Sequence, residues 1–375
     1  DVYYNKESGA SLTTPLRHFH NLFVKRTLLN SVCRPNDKLI DFAIGKGGDI
    51  QKFIENNLKF VYGIDISRDN IHNRLDGACA RYLSKKKTNK QLFRAVFLPG
   101  DSSKNIKRGE SFDNEKNRNI NNAIQGIGQK DKQLLGDHIY NMYGIVKGGF
   151  NVGSIQFAIH YMFQSNENLH EFLRNVSDHI QVGGYFVGTT YDGERVFNYL
   201  QRLEKGESKI LMLKNKKIWE IKKQYDVDVF EPNDSSLGYA IDVYQETINK
   251  YFREYLVNFK YLTKMMEDYG FIALPKEEAI KIGLTDGIDS FKSLFTKMEL
   301  LIKSDKKHKT SLGDSFKMTP EEKTISFLNN YFVYKKIRNI DTLEMFKLHT
   351  KNKQTIDDVV IYKPRKLKRK IKLVD

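Results

Sequence analysis

The chain has 375 residues and a formal net charge of +16, with 62 Lys plus Arg against 46 Asp plus Glu. That length buries a full core and predicts one large domain with insertions in preference to two equal ones, while the positive excess favours a polyanionic partner such as nucleic acid. The two cysteines, Cys33 and Cys79, exclude a disulfide framework and a thiolate metal site and fit a reducing compartment.

No apolar run approaches a membrane span, and the polar start Asp1-Val2-Tyr3-Tyr4 lacks a signal-peptide pattern. The missing initiator methionine predicts a fragment of a longer polypeptide. Residues 1–36 form a lead and helix, 37–340 the main domain and 341–375 a basic tail.

Pro15 to Ser31 places Leu16, Phe19, Leu22, Phe23 and Leu29 at helical spacing, with Thr13 or Thr14 as the cap. Lys38 to Ala43 reads as a strand running into the glycine turn Gly45-Lys46-Gly47-Gly48, and Asp49 to Asn57 as the following helix. Phe60 to Ile66 repeats the strand pattern before a helix that extends through Tyr82. Two successive strand-helix units predict a parallel sheet and a doubly wound α/β fold.

Arg94 to Pro99 and Phe150 to Phe157 are the next strands. Between them, residues 104–133 are rich in Asn, Lys and Gly and read as a solvated, flexible insertion. Asn166 to Ile180 is a helix, Gly183-Gly184 a turn and Tyr185 to Thr190 the fifth strand. Residues 205–258 are β-rich, with strands at Lys209–Leu213, Lys217–Tyr225, Leu237–Tyr244 and Gln245–Asn258, the last two pairing as a hairpin. Helices at Lys260–Tyr269, Phe291–Ile302 and Pro320–Asn330 precede a final strand, Tyr331–Lys335. Lys363 to Lys372 is a basic run suited to RNA, protein interaction or nuclear import.

Chemistry concentrates at strand ends. Asp41 to Asp49 lies where open α/β sheets place ligands, and glycines there let the backbone approach a bound molecule. Asp65, about 20 residues on, sits where a carboxylate accepts ribose hydroxyls. Ala43 stands in place of the first glycine of a dinucleotide fingerprint, which weighs against a pyrophosphate cofactor. Asp101-Ser102 adds polar groups at the end of the third strand.

These motifs resemble, in order and over much of the chain, the mRNA cap guanine-N7 methyltransferases, and most of all the domain form in capping enzymes of large cytoplasmic DNA viruses. The matches are Asn21-x-x-x-Lys25, Gly45 to Asp49, Gly63-Ile64-Asp65-Ile66, Asp101-Ser102, Gln156 to Tyr161, Gly183 to Phe186, Thr189 to Gly193, Glu254 to Phe259 and Tyr331. The resemblance implies a Rossmann-like class I methyltransferase sheet with inserted β-rich cap-binding elements.

It further implies that Asn21, Lys25, Gly45, Gly47, Asp65, Ile66, Asp101, Ser102 and Gln156 bind S-adenosylmethionine, and that His160, Tyr161, Tyr191, Glu254 and Tyr331 hold the cap guanosine. Lys25, Arg26 and the basic residues near Arg195 are candidates for the cap triphosphate. Guanine N7 has a free lone pair, so no catalytic base and no metal are expected. The implied partners are the capped RNA 5′ end, other capping domains of the same polypeptide and a stimulatory subunit, in the cytoplasmic viral factory or the virion. The alternatives are methylation of another RNA position or a small molecule, and a noncatalytic RNA-binding scaffold.

Overall fold

The computed structural model describes residues 11–350. Strands β1 (Lys38–Asp41), β2 (Phe60–Asp65), β3 (Arg94–Pro99), β4 (Phe150–Gln156) and β5 (Ile180–Tyr191) pair in parallel in the order β3-β2-β1-β4-β5. Helices cover both faces, which is why β2 is buried at every position. Alternation divides the core: Ile40, Phe60, Tyr62 and Ile64 pack on one side, Leu39 and Val61 on the other. The strand order reverses between β1 and β4, and such a switch point opens a crevice beyond the carboxyl ends of the strands.

A second sheet is antiparallel throughout, in the order β6 (Ser208–Leu213), β7 (Lys216–Lys223), β8 (Ala240–Gln245), β9 (Lys250–Tyr255). It packs Ile218, Trp219, Ile221, Ile241 and Val243 against Tyr191 at the end of β5 and against Phe197 and Leu200 of the helical turn that follows. The main sheet is completed by β10 (Phe271–Ala273), β11 (Ile288–Ser290) and β12 (Asn329–Lys336), with β12 antiparallel to β5.

The leading helix runs from 14 to 32 and is not uniform. Phe19–Val24 adopts the wider π form between α-helical Thr14–His18 and Lys25–Val32. Phe19, Val24, Leu28 and Leu29 are buried beneath it. Thr13 occupies the cap position without making a side-chain cap bond.

Several expectations are corrected. Residues 104–133 are folded into the domain: helix Glu115–Gln125 lies over the sheet, with Ile106, Phe112, Ala123 and Ile124 in the core. Asn121 is fully buried, accepts a hydrogen bond from Tyr62 Oη at 3.0 Å and donates to the Ile106 carbonyl. A few apolar anchors and one satisfied amide do the packing, so the composition misleads.

The helix expected through Tyr82 divides into Arg68–His72 and Ala78–Thr88, because Asn73 Oδ1 accepts from the Leu75 and Asp76 amides in between. The helix expected over Pro320–Asn330 stops at Ser326, and Asn329 and Asn330 belong to β12. The short β10 and β11 carry no strand signal of their own and form by pairing with β12.

Residues 342–350 are helical and bind the domain through Thr342 to Asp178 and His349 to Asp268. The start at residues 1–10 and the basic run at 363–372 lie outside the described residues. Among the described residues, no helix is long and apolar enough to cross a membrane.

Candidate active site

The strand ends and the leading helix enclose two cavities that share a wall. The first, ≈ 870 Å³, is bounded by Asp65, Ile66, Asp101, Ser102 and Tyr161. The second, ≈ 470 Å³, is bounded by His160, Tyr191, Trp219, Gln245 and Glu254. Lys25, Ala43, Gly45, Gln156, Phe157 and Phe252 line both.

In the first cavity Asp65 is 8% exposed at the end of β2. It accepts from Gly45 N at 2.8 Å, Ser67 N at 3.0 Å and Asn70 Nδ2 at 2.9 Å. Burial pushes its carboxyl above the ordinary range while these donors pull it down. Ile66 is 76% exposed at the lip and offers an apolar face to a flat ligand. Ser102 Oγ donates to the Phe42 carbonyl, and Asp101 Oδ1 accepts from Ser103, so the third strand's loop is braced from within. Asn70, another wall residue, keeps a buried Oδ1 without a hydrogen-bond partner, an acceptor available to a ligand.

Gly45, at φ +55, has nothing within 4 Å of where a Cβ would stand, whereas a Cβ on Gly47 would meet Ile50 Cδ1 at 2.6 Å. The two glycines therefore differ in kind. Gly45 borders ligand space, and Gly47 packs against the following helix. Lys25 Nζ stands 3.4 Å from Asp49 Oδ2 and 5.7 Å from the centroid of the Phe157 ring. Against the opposing pull of burial, Lys25 and Lys52 hold Asp49 below the ordinary carboxylate range. Gln156 is fixed by Ser154 Oγ and Thr189 Oγ1, with its amide between the cavities. Phe157 sits in the left-handed region at φ 54, a rare conformation for a bulky residue, and stacks on His20 at 5.3 Å between centroids.

In the second cavity Glu254 is 8% exposed, and burial pushes its carboxyl up to about 8. Alternation along β9 places Lys250, Phe252 and Glu254 on the cavity wall, beside Val243 and Gln245 of β8 and Trp219 of β7. Trp219 Nε1 donates to Tyr191 Oη at 3.1 Å, which fixes both rings. His160 Nε2 is buried without a hydrogen-bond partner.

The structure thus gathers most of the expected residues, with exceptions. Asn21 lies on the wall of the second cavity, not the first, and Tyr161 lines the first, not the second. Gly47 is on neither wall. Tyr331 is fully buried: its hydroxyl donates to the Asp286 carbonyl at 2.8 Å and meets Asp286 N and Thr285 Oγ1. Its strand neighbour Asn329, two residues nearer the strand's start and on the same face, reaches the cavity instead.

Arg26 pairs with Glu55, and Arg195 with Asp192 and two carbonyls, so neither lines a cavity. Arg17 and Arg81 supply positive charge at the second cavity, and Lys46 lines it paired with Asp76 at 2.8 Å and Asp69 at 3.5 Å. Sequence reasoning also missed Trp219, Gln245, His20 and Phe252. Only Trp219, as the lone tryptophan, gave a signal that could have been followed.

A doubly wound sheet in the order 3-2-1-4-5 with an antiparallel strand beside β5 and a carboxylate-floored cavity at its switch point is the frame of a nucleotide-type ligand site, and with the family match this makes the chain a class I S-adenosylmethionine-dependent methyltransferase. The chain belongs to the mRNA (guanine-N(7))-methyltransferase domain family, whose model matches residues 3–337.

It is 26% identical to the "Probable mRNA-capping enzyme" of Acanthamoeba polyphaga mimivirus over 95% of this chain and 31% of that protein. It is 24% identical to the mRNA cap guanine-N(7) methyltransferase of Eremothecium gossypii over 86% of this chain and 65% of that one. The chain therefore spans less than two thirds of either relative. Among solved structures, the CcbJ methyltransferase of Streptomyces caelestis is similar at TM-score 0.45 and 12% identity, covering 89% of this chain and 94% of that one.

Proposed function

We propose that this chain methylates N7 of a 5′ guanosine cap with S-adenosylmethionine bound in the larger cavity. The observation that carries the reading is the shared wall: Asp65 and Glu254 floor two separate cavities that meet at Lys25, Gly45, Gln156 and Phe157. The cofactor fits the residues present. Asp65 accepts hydroxyls, Asn70 Oδ1 lacks a partner, and Ile66 covers an aromatic face. When bound, it supplies an electrophilic methyl group on a sulfonium.

The residues of this chain do the positioning. Glu254, ionised, accepts from guanine N1–H and the N2 amino group and turns N7 towards the shared wall. Adenine lacks that donor pair and would leave a buried carboxylate unmatched. His160 and Trp219 border the base, while Arg17 and Arg81 meet the triphosphate. N7 needs no deprotonation, so orientation supplies the main part of the rate, where alignment is worth about 7–11 kcal/mol.

The mimivirus relative supports a place beside other capping activities in the cytoplasm of an infected cell, with the capped RNA 5′ end as partner. Incubation with capped RNA and methyl-labelled cofactor tests the reading. Label is expected on guanine N7, and label on an internal adenine or a ribose overturns it.

A further inference from the structure

We propose that Glu246 is a positioning residue that locks the guanine-facing and phosphate-facing halves of the second cavity into one seat. This rests on the reading that the cavity holds the cap. Glu246 is the first residue after β8, in the turn of the hairpin that carries Gln245, Phe252 and Glu254. Its backbone amide is tied to the Ile218 carbonyl of β7 at 3.0 Å, so the side chain springs from a fixed point.

Its carboxylate gathers three donors from three consecutive residues more than 230 positions away. Oε2 accepts from Ser11 Oγ at 2.9 Å and Thr13 Oγ1 at 3.1 Å, and Oε1 from Leu12 N at 3.3 Å. Those residues lead directly into the helix whose exposed side brings Arg17, Asn21 and Lys25 to the cavity.

Thr13 stands at the N-cap of that helix but makes no cap bond: Pro15 has no N–H and Leu16 N donates to Glu322 Oε1 at 3.0 Å, and the Thr13 hydroxyl donates to Glu246 instead. A negative charge at this place also suits the positive end of the helix. Glu246 and Thr13 both line the cavity, and their contact closes it on the hairpin side. Without it, the hairpin and the helix are joined near this end by apolar packing of Leu12 and Leu16, which is non-directional and does not set the spacing from Glu254 to Lys25. Glu246 lines the second cavity and does not border the larger one, so the clamp acts on the cap directly and reaches the adenosyl side only through the shared-wall Lys25.

The test uses the full chain, a GpppG cap analogue and S-adenosylhomocysteine. E246A is expected to raise KM for GpppG about tenfold while kcat changes less than about twofold, the signature of lost substrate seating. Calorimetric affinity for S-adenosylhomocysteine stays within about twofold of the parent chain. E246Q, which keeps one acceptor oxygen for either the Ser11 and Thr13 hydroxyls or the Leu12 amide and turns a donor to the other, recovers part of the KM. S11A/T13V, which removes two donors and leaves Glu246 in place, raises KM in the same way and decides the matter if E246A does not fold. Combining S11A/T13V with E246A adds no further increase, because the groups act through one contact.

Unchanged KM in both E246A and S11A/T13V overturns the proposal, as does simple additivity of the two. A parent chain that neither binds nor methylates GpppG would defeat the functional reading itself, a result separable from any variant's behaviour.

Discussion

His160 Nε2 lies 3.7 Å from Glu254 Oε2 with both side chains buried, and burial keeps the pair neutral instead of forming an ion pair. The imidazole is pushed down to about 3 and the carboxyl up to about 8, so at neutral pH the histidine is unprotonated and the glutamic acid protonated.

This neutrality sets a pH dependence for cap recognition. Guanine's N1–H and N2–H donors require an ionised Glu254, so KM for the cap analogue should fall as pH rises from 7 through about 8. Asp41, raised to about 8 by burial and by the nearby Asp49 charge, titrates in the same window. Comparing the profile with that of E254Q separates them: the part due to Glu254 disappears in the variant, and an unaltered profile would assign the dependence to Asp41.

The same group bears on stability. The folded chain holds the Glu254 proton up to about 8, the unfolded chain only up to about 4.3. Its contribution to stability is thus fully present below the unfolded value and lost as pH rises through the folded one. E254Q should therefore melt higher than the parent at pH 8 and equally at pH 4, while cap affinity falls. Calorimetric melting at the two pH values checks the sign.

Asp65→Ala should weaken S-adenosylhomocysteine binding roughly ten- to hundredfold, the range for losing hydrogen bonds to a charged acceptor. It also strands the Gly45 and Ser67 amides, so a lower melting temperature should accompany the lost affinity. Affinity within threefold of the parent would mean that the larger cavity is not the adenosyl site.

Tyr331→Phe separates the core from the cap site. The hydroxyl serves the turn at Thr285 and Asp286, so its loss should cost about 1–3 kcal/mol in urea denaturation with no change in cap KM. A raised KM with unchanged stability would return Tyr331 to the cap site.

Asn121→Ala tests whether residues 104–133 are part of the core. Removing the amide strands the buried Tyr62 hydroxyl and the Ile106 carbonyl, at about 1–3 kcal/mol for each. The urea midpoint should fall accordingly. A solvated insertion would tolerate the change.

The α/β class, the parallel order of early units, the glycine turn and Asp65 were legible in the sequence because they are local: a strand's apolar run, its terminal carboxylate and the following turn lie within a few residues. The resemblance carried Glu254 and Gln156. What the tertiary structure alone decided is which side chains share a cavity. Tyr331 and Asn329 occupy the same face of β12 two residues apart, yet only the latter reaches the wall, because Tyr331 pairs with Asp289 of β11 and is held by the Thr285–Asp286 turn, whereas the β11 pairing ends at Asn330. Tyr161 and His160 are adjacent, and the chain's turn after β4 sends them to different cavities. Glu246 and Thr13 meet across more than 230 residues, and no periodicity encodes that contact. Pattern fixes the direction of a side chain relative to its own element, whereas the packing of elements against one another fixes what that side chain faces.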